Sequence, residues 1–576
     1  MEKESRQFNR KFFSSDKRIS YIGGGSPGGK AQGLDFINEI LSSEFNAADF
    51  PEIDVKVPRC VVLRTDIFDE FMERNDLYKT ALSDASDDRI AHAFQKADLP
   101  FSVLGDLQAI VNEVHSPLAV RSSSRLEDAM YEPFAGIYAT KMTPNNQHDA
   151  DTRFRKLIEA VKFVYASTFF KSAKDYIKAT KHKIEDEKMA VIIQEVVGKR
   201  HAERYYPELS GVARSYNFYP MGRAKAQDGV VNLALGLGKT IVDGGISWTY
   251  SPAYPKINPP YGSVGEMLKQ TQNEFWAVNM GKPPAYNPLK ETEYMIKGNL
   301  SHAEEDGALK YIVSTLDRHS GRVTIGTGAD GPRILTFAPL LMFNDIPLNS
   351  LIKSLLKLCE KKLNAPVEIE FAVTFSQNEP HYFGFLQVRP MVVSSEVVQI
   401  DEQELTAKNV LLSSERVLGN GYNDTIRDIV YVMPEKFEAR LTPKIALELE
   451  AVNKKLITEN RPYLLIGFGR WGSSDPWLGI PVNWGQISGA KVIVEAGLEK
   501  MNVELSQGSH FFHNLTSFNV SYFSLPFAGD YKIKWEWLNR QKIEDETANV
   551  RHIRIESPLI VKVNGHKGYG VILIRK

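Results

Sequence analysis

Five glycines crowd into the seven residues Gly23–Gly29 of "ISYIGGGSPGGKAQGLDFI", and this loop constrains the local fold more than any other stretch of the chain. The apolar "ISYI" before it reads as a short strand, while Ala31, Leu34, Ile37 and Leu41 after it recur at helical spacing. A strand turning through glycines into a helix leaves free N–H groups and the positive end of the helix dipole at one point, which suits an anion. Lys30 adds a mobile cation. Gly24–Lys30 fits the G-x-x-x-x-G-K part of a phosphate-cradling loop, yet Ala31 stands where a metal-binding Ser or Thr normally follows. Taken alone, the stretch reads equally well as a surface turn with a solvated lysine.

A chain of 576 residues is long for one core, and at roughly 100–200 residues per domain it divides into about three to five units. Its 70 Lys plus Arg nearly cancel 71 Asp plus Glu, so no global field recruits nucleic acid or an anionic membrane. The two cysteines, Cys60 and Cys359, lie far apart and in no C-x-x-C or zinc spacing, which points to a reducing compartment. The N-terminal stretch lacks an apolar signal core, and no run of ~18 apolar residues occurs. A cytoplasmic location is expected.

The pattern along the chain is α+β. After a polar leader over 1–20, "VKVPRCVVLRTDIFDEFM" reads as a strand, a Thr65 or Asp66 N-cap and an amphipathic helix. "SPLAVRSSS" is a strand running into a polar loop, and residues 151–185 are mainly helical before the apolar strand "MAVIIQEVV". Strand-like "LSGVARSYNFYP" and the Gly-rich "VNLALGLGKTIVDGG" come next. Residues 252–332 are irregular and are expected to leave the core as an excursion. A helix near 348–362 leads to a pair of strands, and the character changes near residue 400. The expected division is a module over 21–398 and a C-terminal α+β domain over 399–576.

The paired strands "VEIEFAVTF" and "YFGFLQVRPM" carry the strongest chemical pattern. Val367, Ile369, Phe371, Val373 and Phe375 alternate with Glu368, Glu370, Ala372 and Thr374, so one face is apolar and the other bears two carboxylates. A single antiparallel register that opposes Phe375 to Tyr382 also opposes Glu370 to Gln387 and Glu368 to Arg389, with Phe383, Phe385, Gln387 and Arg389 on one face. Opposed side chains lie about 4.5–5.5 Å apart at Cβ, close enough for Glu370 and Gln387 to share one Mg2+. The alternative is an exposed polar face with a Glu368–Arg389 ion pair.

Taken in order, several segments resemble the N-terminal ATP-grasp module of the phosphoenolpyruvate synthase and pyruvate phosphate dikinase family. These are "GGKAQGL", "VKVPRCVVLRTDIFDEF", "LAVRSSSRLEDAMYEPFAGIYAT", "VIIQEVVG…LSGVARSY" with "LGLGKTIVDGG", and "EIEFAV…GFLQVRP". The likeness covers roughly residues 20–393. It implies an ATP-grasp fold of two or more subdomains, with ATP and Mg2+ in the cleft between them. By that resemblance Gly28, Gly29, Lys30 and Arg121 would contact the phosphates, and Gln194 and Glu195 would lie by the adenine. Glu370 and Gln387 would hold Mg2+, and Arg389 would neutralise the transferring phosphoryl group. Phosphoryl transfer asks a protein for such positioning and cations. From sequence alone Arg121 reads more readily as a strand-end arginine paired with Glu127 or Asp128. Lys239 departs from the pattern, standing after "GLG" where the family usually has an acidic residue.

The family's swivelling phosphohistidine domain and its barrel are not evident. "GNLSHAEEDG" holds Ser301-His302-Ala303 but lacks the glycine pair of the family motif, and His302 is expected to be structural. Gly467, Gly469 and Gly472 satisfy G-x-G-x-x-G, but Pro476 and Pro481 forbid the long helix a dinucleotide site needs. Trp471, Trp477 and Trp484 near Arg470 read as packing or as an aromatic acceptor platform. His510 and His513 read as packing among phenylalanines, with His510 as a phosphoacceptor the sharper alternative. The expected function is ATP- and Mg2+-dependent dikinase-type transfer to a histidine, small molecule or phosphocarrier protein, releasing AMP and phosphate. The rival is a silent ATP-binding sensor or scaffold. Oligomerisation stays open.

Overall fold

The computed structural model describes residues 6–127, 136–178, 180, 182–220, 222–257, 263–343, 346–393, 398–473, 475–499, 515 and 518–575. The first strand, β1 (Ile19–Ile22), is buried throughout and the glycine loop leads from it into α1 (Gly29–Ser43). β1 joins β3 (Cys60–Leu63), β4 (Leu118–Ser124), β5 (Thr140–Thr143) and β6 (Met189–Glu195) in one sheet of order β1-β3-β6-β4-β5. Only the β1–β3 pair is parallel. A second sheet has order β9-β8-β7-β10-β11-β2, where β2 is Ile53–Lys56, β7 Leu209–Arg214, β8 Val230–Ala234, β9 Trp248–Tyr250, β10 Val367–Thr374 and β11 His381–Pro390. The chain passes from the second sheet to the first between β2 and β3, through Val57, Pro58 and Arg59.

Helix α1 packs between these sheets. Its buried stripe is Ala31, Leu34, Ile37 and Ile40, with Ile40 rather than Leu41 completing the turn. These side chains share one apolar cluster with Val62 and Ile192 of the first sheet and Ile369, Phe371 and Val388 of the second. At roughly 1.5–3 kcal/mol for each large side chain taken from water, this shared core fixes the sheets around the helix. Residues 252–332 supply Phe275, Ala277 and Ile312 to the same cluster, and Glu274–Asn279 and Met295–Asn299 continue a four-stranded sheet.

Two details depart from the sequence reading. Helix Thr65–Arg74 has Arg64 at its N-cap. Thr65 Oγ1 instead accepts the Ser26 N–H at 2.9 Å, and the Asp66 carboxylate accepts that of Gly24, so the expected capping side chains hold the glycine loop. In the hairpin, Glu368 opposes Arg389 and Glu370 opposes Gln387, but Phe371 opposes Phe385 and Thr374 opposes Tyr382. One register therefore does not run the whole length, because Leu386 is an extra residue at a bulge. The bulge sets the two ends of β11 in opposite phase: Phe383 and Phe385 join the core, and Gln387 and Arg389 share the opposite face with Glu370 and Glu368.

Beyond residue 398, a seven-stranded sheet has parallel neighbours Asp428–Val432, Tyr463–Phe468, Ala490–Ala496 and Ser521–Leu525 at its centre. "DIVYV" and "YLLIGF" are buried at every position, as strands covered on both faces must be. Strand Tyr463–Phe468 runs into the two-residue strand Arg470–Trp471 and opens no helix. Trp471 is buried with Nε1 donating to the Val494 carbonyl at 3.0 Å, and Trp484 is buried and stacked on Phe518 at 5.1 Å. Trp477 is 70% exposed, so the three indoles form no common platform. His302 closes a capping box with Asn299 at the start of helix Leu300–Glu305. His510 and His513 lie outside the described residues. The C-terminal core is continuous with the helices behind the first sheet, and Tyr176 meets Phe518 edge to face at 5.3 Å.

Candidate functional site

The glycine loop lies against the end of β4. A Cβ on Gly28, whose φ is 77°, would sit 1.7 Å from the Ser123 carbonyl oxygen, and one on Gly29 would sit 1.8 Å from that of Glu127. Only glycine permits this approach. The Ala31 N–H donates to Ser123 Oγ at 3.1 Å while its methyl is fully buried in the cluster between the sheets. Core packing therefore explains the missing hydroxyl at that position. Lys30 Nζ reaches Glu127 Oε1 at 2.5 Å and Ser122 Oγ at 3.2 Å. Glu127 is held in turn by the Ser122 hydroxyl and the Ser124 N–H, each at 2.9 Å.

Arg121, on β4, reaches across to the second sheet. Its Nη1 donates to Gln194 Oε1 and to the Leu386 carbonyl, both at 3.0 Å, and Nη2 donates to Gln387 Oε1 at 2.6 Å. The bulge matters here, since it leaves the Leu386 carbonyl available to Arg121. The ion pair of Arg121 with Glu127 expected as the plain alternative is absent among the described residues, because Glu127 serves Lys30; Asp128, the other partner expected for it, lies outside the described residues. Gln194 is buried, and its Nε2 has no partner among the described residues. Glu195 accepts from Ser116 Oγ at 3.2 Å at the end of β6.

On the hairpin, Glu368, Gln387 and Arg389 are all buried, so this face is no solvated surface. Arg389 Nε donates to Glu368 Oε1 at 2.8 Å, and its Nη2 lies 3.5 Å from Glu370 Oε1. From β7, Arg214 Nε donates to the other oxygen of Glu368 at 2.5 Å, and its Nη1 to Asn232 Oδ1 at 3.3 Å. The structure thus brings Lys30, Arg121, Gln194, Glu370, Gln387 and Arg389 to the facing parts of α1 and the two sheets. Sequence reasoning missed Arg214 and the tie of Glu127 to Lys30. Arg214 gave no signal, being one arginine in a short strand, whereas "RSSSRLED" offered Glu127 beside three hydroxyls.

Among the described residues no group of three or more His, Cys, Asp or Glu could hold a metal ion. Glu370 supplies a partly exposed carboxylate and Gln387 beside it an amide oxygen that also accepts from Arg121, a pair that fits Mg2+ shared with substrate phosphates better than a cage made by protein alone. Lys239 pairs with Asp243 at 2.8 Å; burial disfavours its charge, but the carboxylates of Asp243 and Glu291 outweigh this and raise its pKa. Next to Ser124, burial pushes Glu187 up to about 7, against hydrogen bonds from Ser124 and Tyr138. Tyr138 donates to it at 3.0 Å.

An uncharacterized phosphotransferase of Bacillus subtilis (strain 168), YvkC, is 25% identical to this chain over 202 residues. The match covers 33% of this chain and 20% of that protein, so the chain spans only a fifth of the relative's length. Residues 25–409 match the family model described as the pyruvate phosphate dikinase AMP/ATP-binding domain, an ATP-grasp-like module, and the two sheets around α1 give the α+β class it requires. Every residue brought together around α1 lies inside the matched span, and the chain belongs to this pyruvate phosphate dikinase AMP/ATP-binding family.

Proposed function

We propose that the chain is an ATP- and Mg2+-dependent phosphotransferase of the dikinase type, passing the β-phosphoryl group of ATP to a histidine or small-molecule acceptor. The observation that carries this reading is Arg121, whose guanidinium joins Gln194 on one sheet to Gln387 on the other. Lys30 and Arg121 would hold the phosphates, Gln194 and Glu195 the base side, and Arg389 the charge that develops on the moving group. Glu370 and Gln387 would hold Mg2+, which when bound screens the phosphate oxygens. For AMP and phosphate to result, both anhydride bridges flanking the β-phosphorus open: the acceptor attacks the β-phosphorus and AMP leaves with the α,β-bridging oxygen, while one water attacks the γ-phosphorus, which departs as phosphate and leaves the β,γ-bridging oxygen on the transferred group. The protein's own part is positioning and charge, as phosphoryl transfer demands. The C-terminal sheet, continuous in its core with the module, would present the acceptor or a carrier protein. Two buried free cysteines favour a cytoplasmic setting, and no helix among the described residues is long and apolar enough to cross a membrane.

A silent ATP-binding sensor is the second reading. It is favoured by the pairing of Lys30 with Glu127, Arg389 with Glu368 and Lys239 with Asp243, which leaves these cations already neutralised. Incubation with Mg2+ and ATP labelled separately at the β and γ positions separates the two, with Lys30→Ala and Glu370→Ala as controls. AMP production with β-label in protein or product, lost in both variants, is the expected outcome. Tightly bound ATP recovered intact in the presence of a phosphorylatable carrier fraction would reject transfer in favour of sensing.

A further inference from the structure

β10 presents two carboxylates, Glu368 and Glu370, on one face, separated by about 7 Å of strand. Either could ligate a cation that also touches nucleotide phosphates, and together they could serve two. Their surroundings differ. Glu368 is 1% exposed, and both its oxygens are engaged by guanidinium N–H groups: Oε2 by Arg214 Nε at 2.5 Å, Oε1 by Arg389 Nε at 2.8 Å and by Arg389 Nη2. Glu370 is partly exposed, opposes Gln387, and lies no closer than 3.5 Å to Arg389.

We propose that Arg214 limits the site to one divalent cation, by holding Glu368 out of metal coordination and supplying a fixed positive charge where a second ion would otherwise sit. It rests on the reading of Glu370 and Gln387 as the metal pair and adds the ion count to it. Turning Glu368 towards a metal would strand Arg214 in a buried place. Asn232 at 3.3 Å would be its remaining hydrogen-bond partner among the described residues, where Nη2 is already without one. A buried charge stripped of its partner is strongly unfavourable, so the Arg214–Glu368 pair resists exchange for a metal.

The test counts ions. The 576-residue chain is saturated with α,β-methylene-ATP and titrated with Mn2+, with free ion read by electron paramagnetic resonance. One tightly bound Mn2+ per chain is expected for the native protein and two for Arg214→Met, which frees Oε2 of Glu368 while Arg389 keeps Oε1. Two ions in the native protein, or one in both proteins, overturns the role of Arg214 while the metal pair stands. No bound Mn2+ beside bound nucleotide removes the metal pair itself, and the proposal with it. Glu368→Gln gives a check that does not depend on the folding of Arg214→Met. At saturating ion this variant is expected to keep one bound Mn2+ per chain, whereas loss of that ion with nucleotide still bound would show that Glu368 ligates it.

Discussion

Arg121 Nη2 lies 2.6 Å from Gln387 Oε1, joining two sheets through residues 266 positions apart in the chain. The same guanidinium holds Gln194, so its removal loosens the tie between the two sheets on both sides at once. Hydrogen bonds to a charged group contribute about 1.5–3 kcal/mol, which corresponds to roughly 10–150-fold in affinity. Arg121→Met is expected to weaken ATP binding by at least tenfold in a calorimetric titration. An unchanged dissociation constant would remove Arg121 from the site.

Gly28→Ala places a methyl 1.7 Å from the Ser123 carbonyl at a φ of 77°, so the loop must leave β4. ATP binding is expected to fall by more than tenfold with the circular dichroism spectrum intact, because α1 stays anchored by its apolar stripe. Gly105→Ala is the control. It lies in helix Phe101–Glu113 with nothing within 4 Å of the added methyl, and should stabilise the protein by about 0.5–1 kcal/mol. If Gly28→Ala binds ATP as the native chain does, the loop is no phosphate cradle.

Glu187 sets a pH dependence. Burial raises its carboxyl from 4.5 to about 7, so the folded state holds this proton more tightly than the unfolded chain does. Its destabilising contribution is absent below about pH 4.5, grows as the pH rises through 7, and is constant above that, on the order of 3 kcal/mol. Glu187→Gln should therefore raise the melting temperature at pH 8 and leave it nearly unchanged at pH 4. Equal effects at both pH values would place the carboxylate in a solvated or paired state.

Lys141 is buried on β5, where its ammonium meets Glu293 at 2.8 Å and the carbonyls of Pro288 and Lys290 at the same distance. Burial lowers its pKa despite the opposing pull of Glu293. Glu293→Ala leaves that charge without its carboxylate and should cost about 3–5 kcal/mol by chemical denaturation, whereas pairing it with Lys141→Met should restore much of the loss. Equal instability of the single and double variants would count against this account.

The sequence made some of this arrangement legible and hid the rest for identifiable reasons. The apolar alternation from Val367 to Val373 was readable because every second side chain enters one core, whereas Glu370 opposite Gln387 came from a register anchored on Phe375 and Tyr382, and the bulge moves Tyr382 opposite Thr374 instead. The facing of Phe383 and Phe385 was not readable, because an alternation rule carries no sign of an inserted residue. Thr65 and Asp66 had the chemistry of helix caps, and only the folded loop shows their hydroxyl and carboxylate serving Ser26 and Gly24. Arg214 becomes meaningful when β7 lies beside β10, a pairing that no local pattern announces.

Leu386, the unpaired residue of the hairpin, works like a frame marker in a coded message. Without it, Phe383 and Phe385 would read out onto the polar face of Glu368 and Glu370, or Gln387 and Arg389 into the oil of the core. Along β11 the protein can therefore vary in spelling but not in length: substitutions alter one letter, while loss of a single residue garbles both faces together.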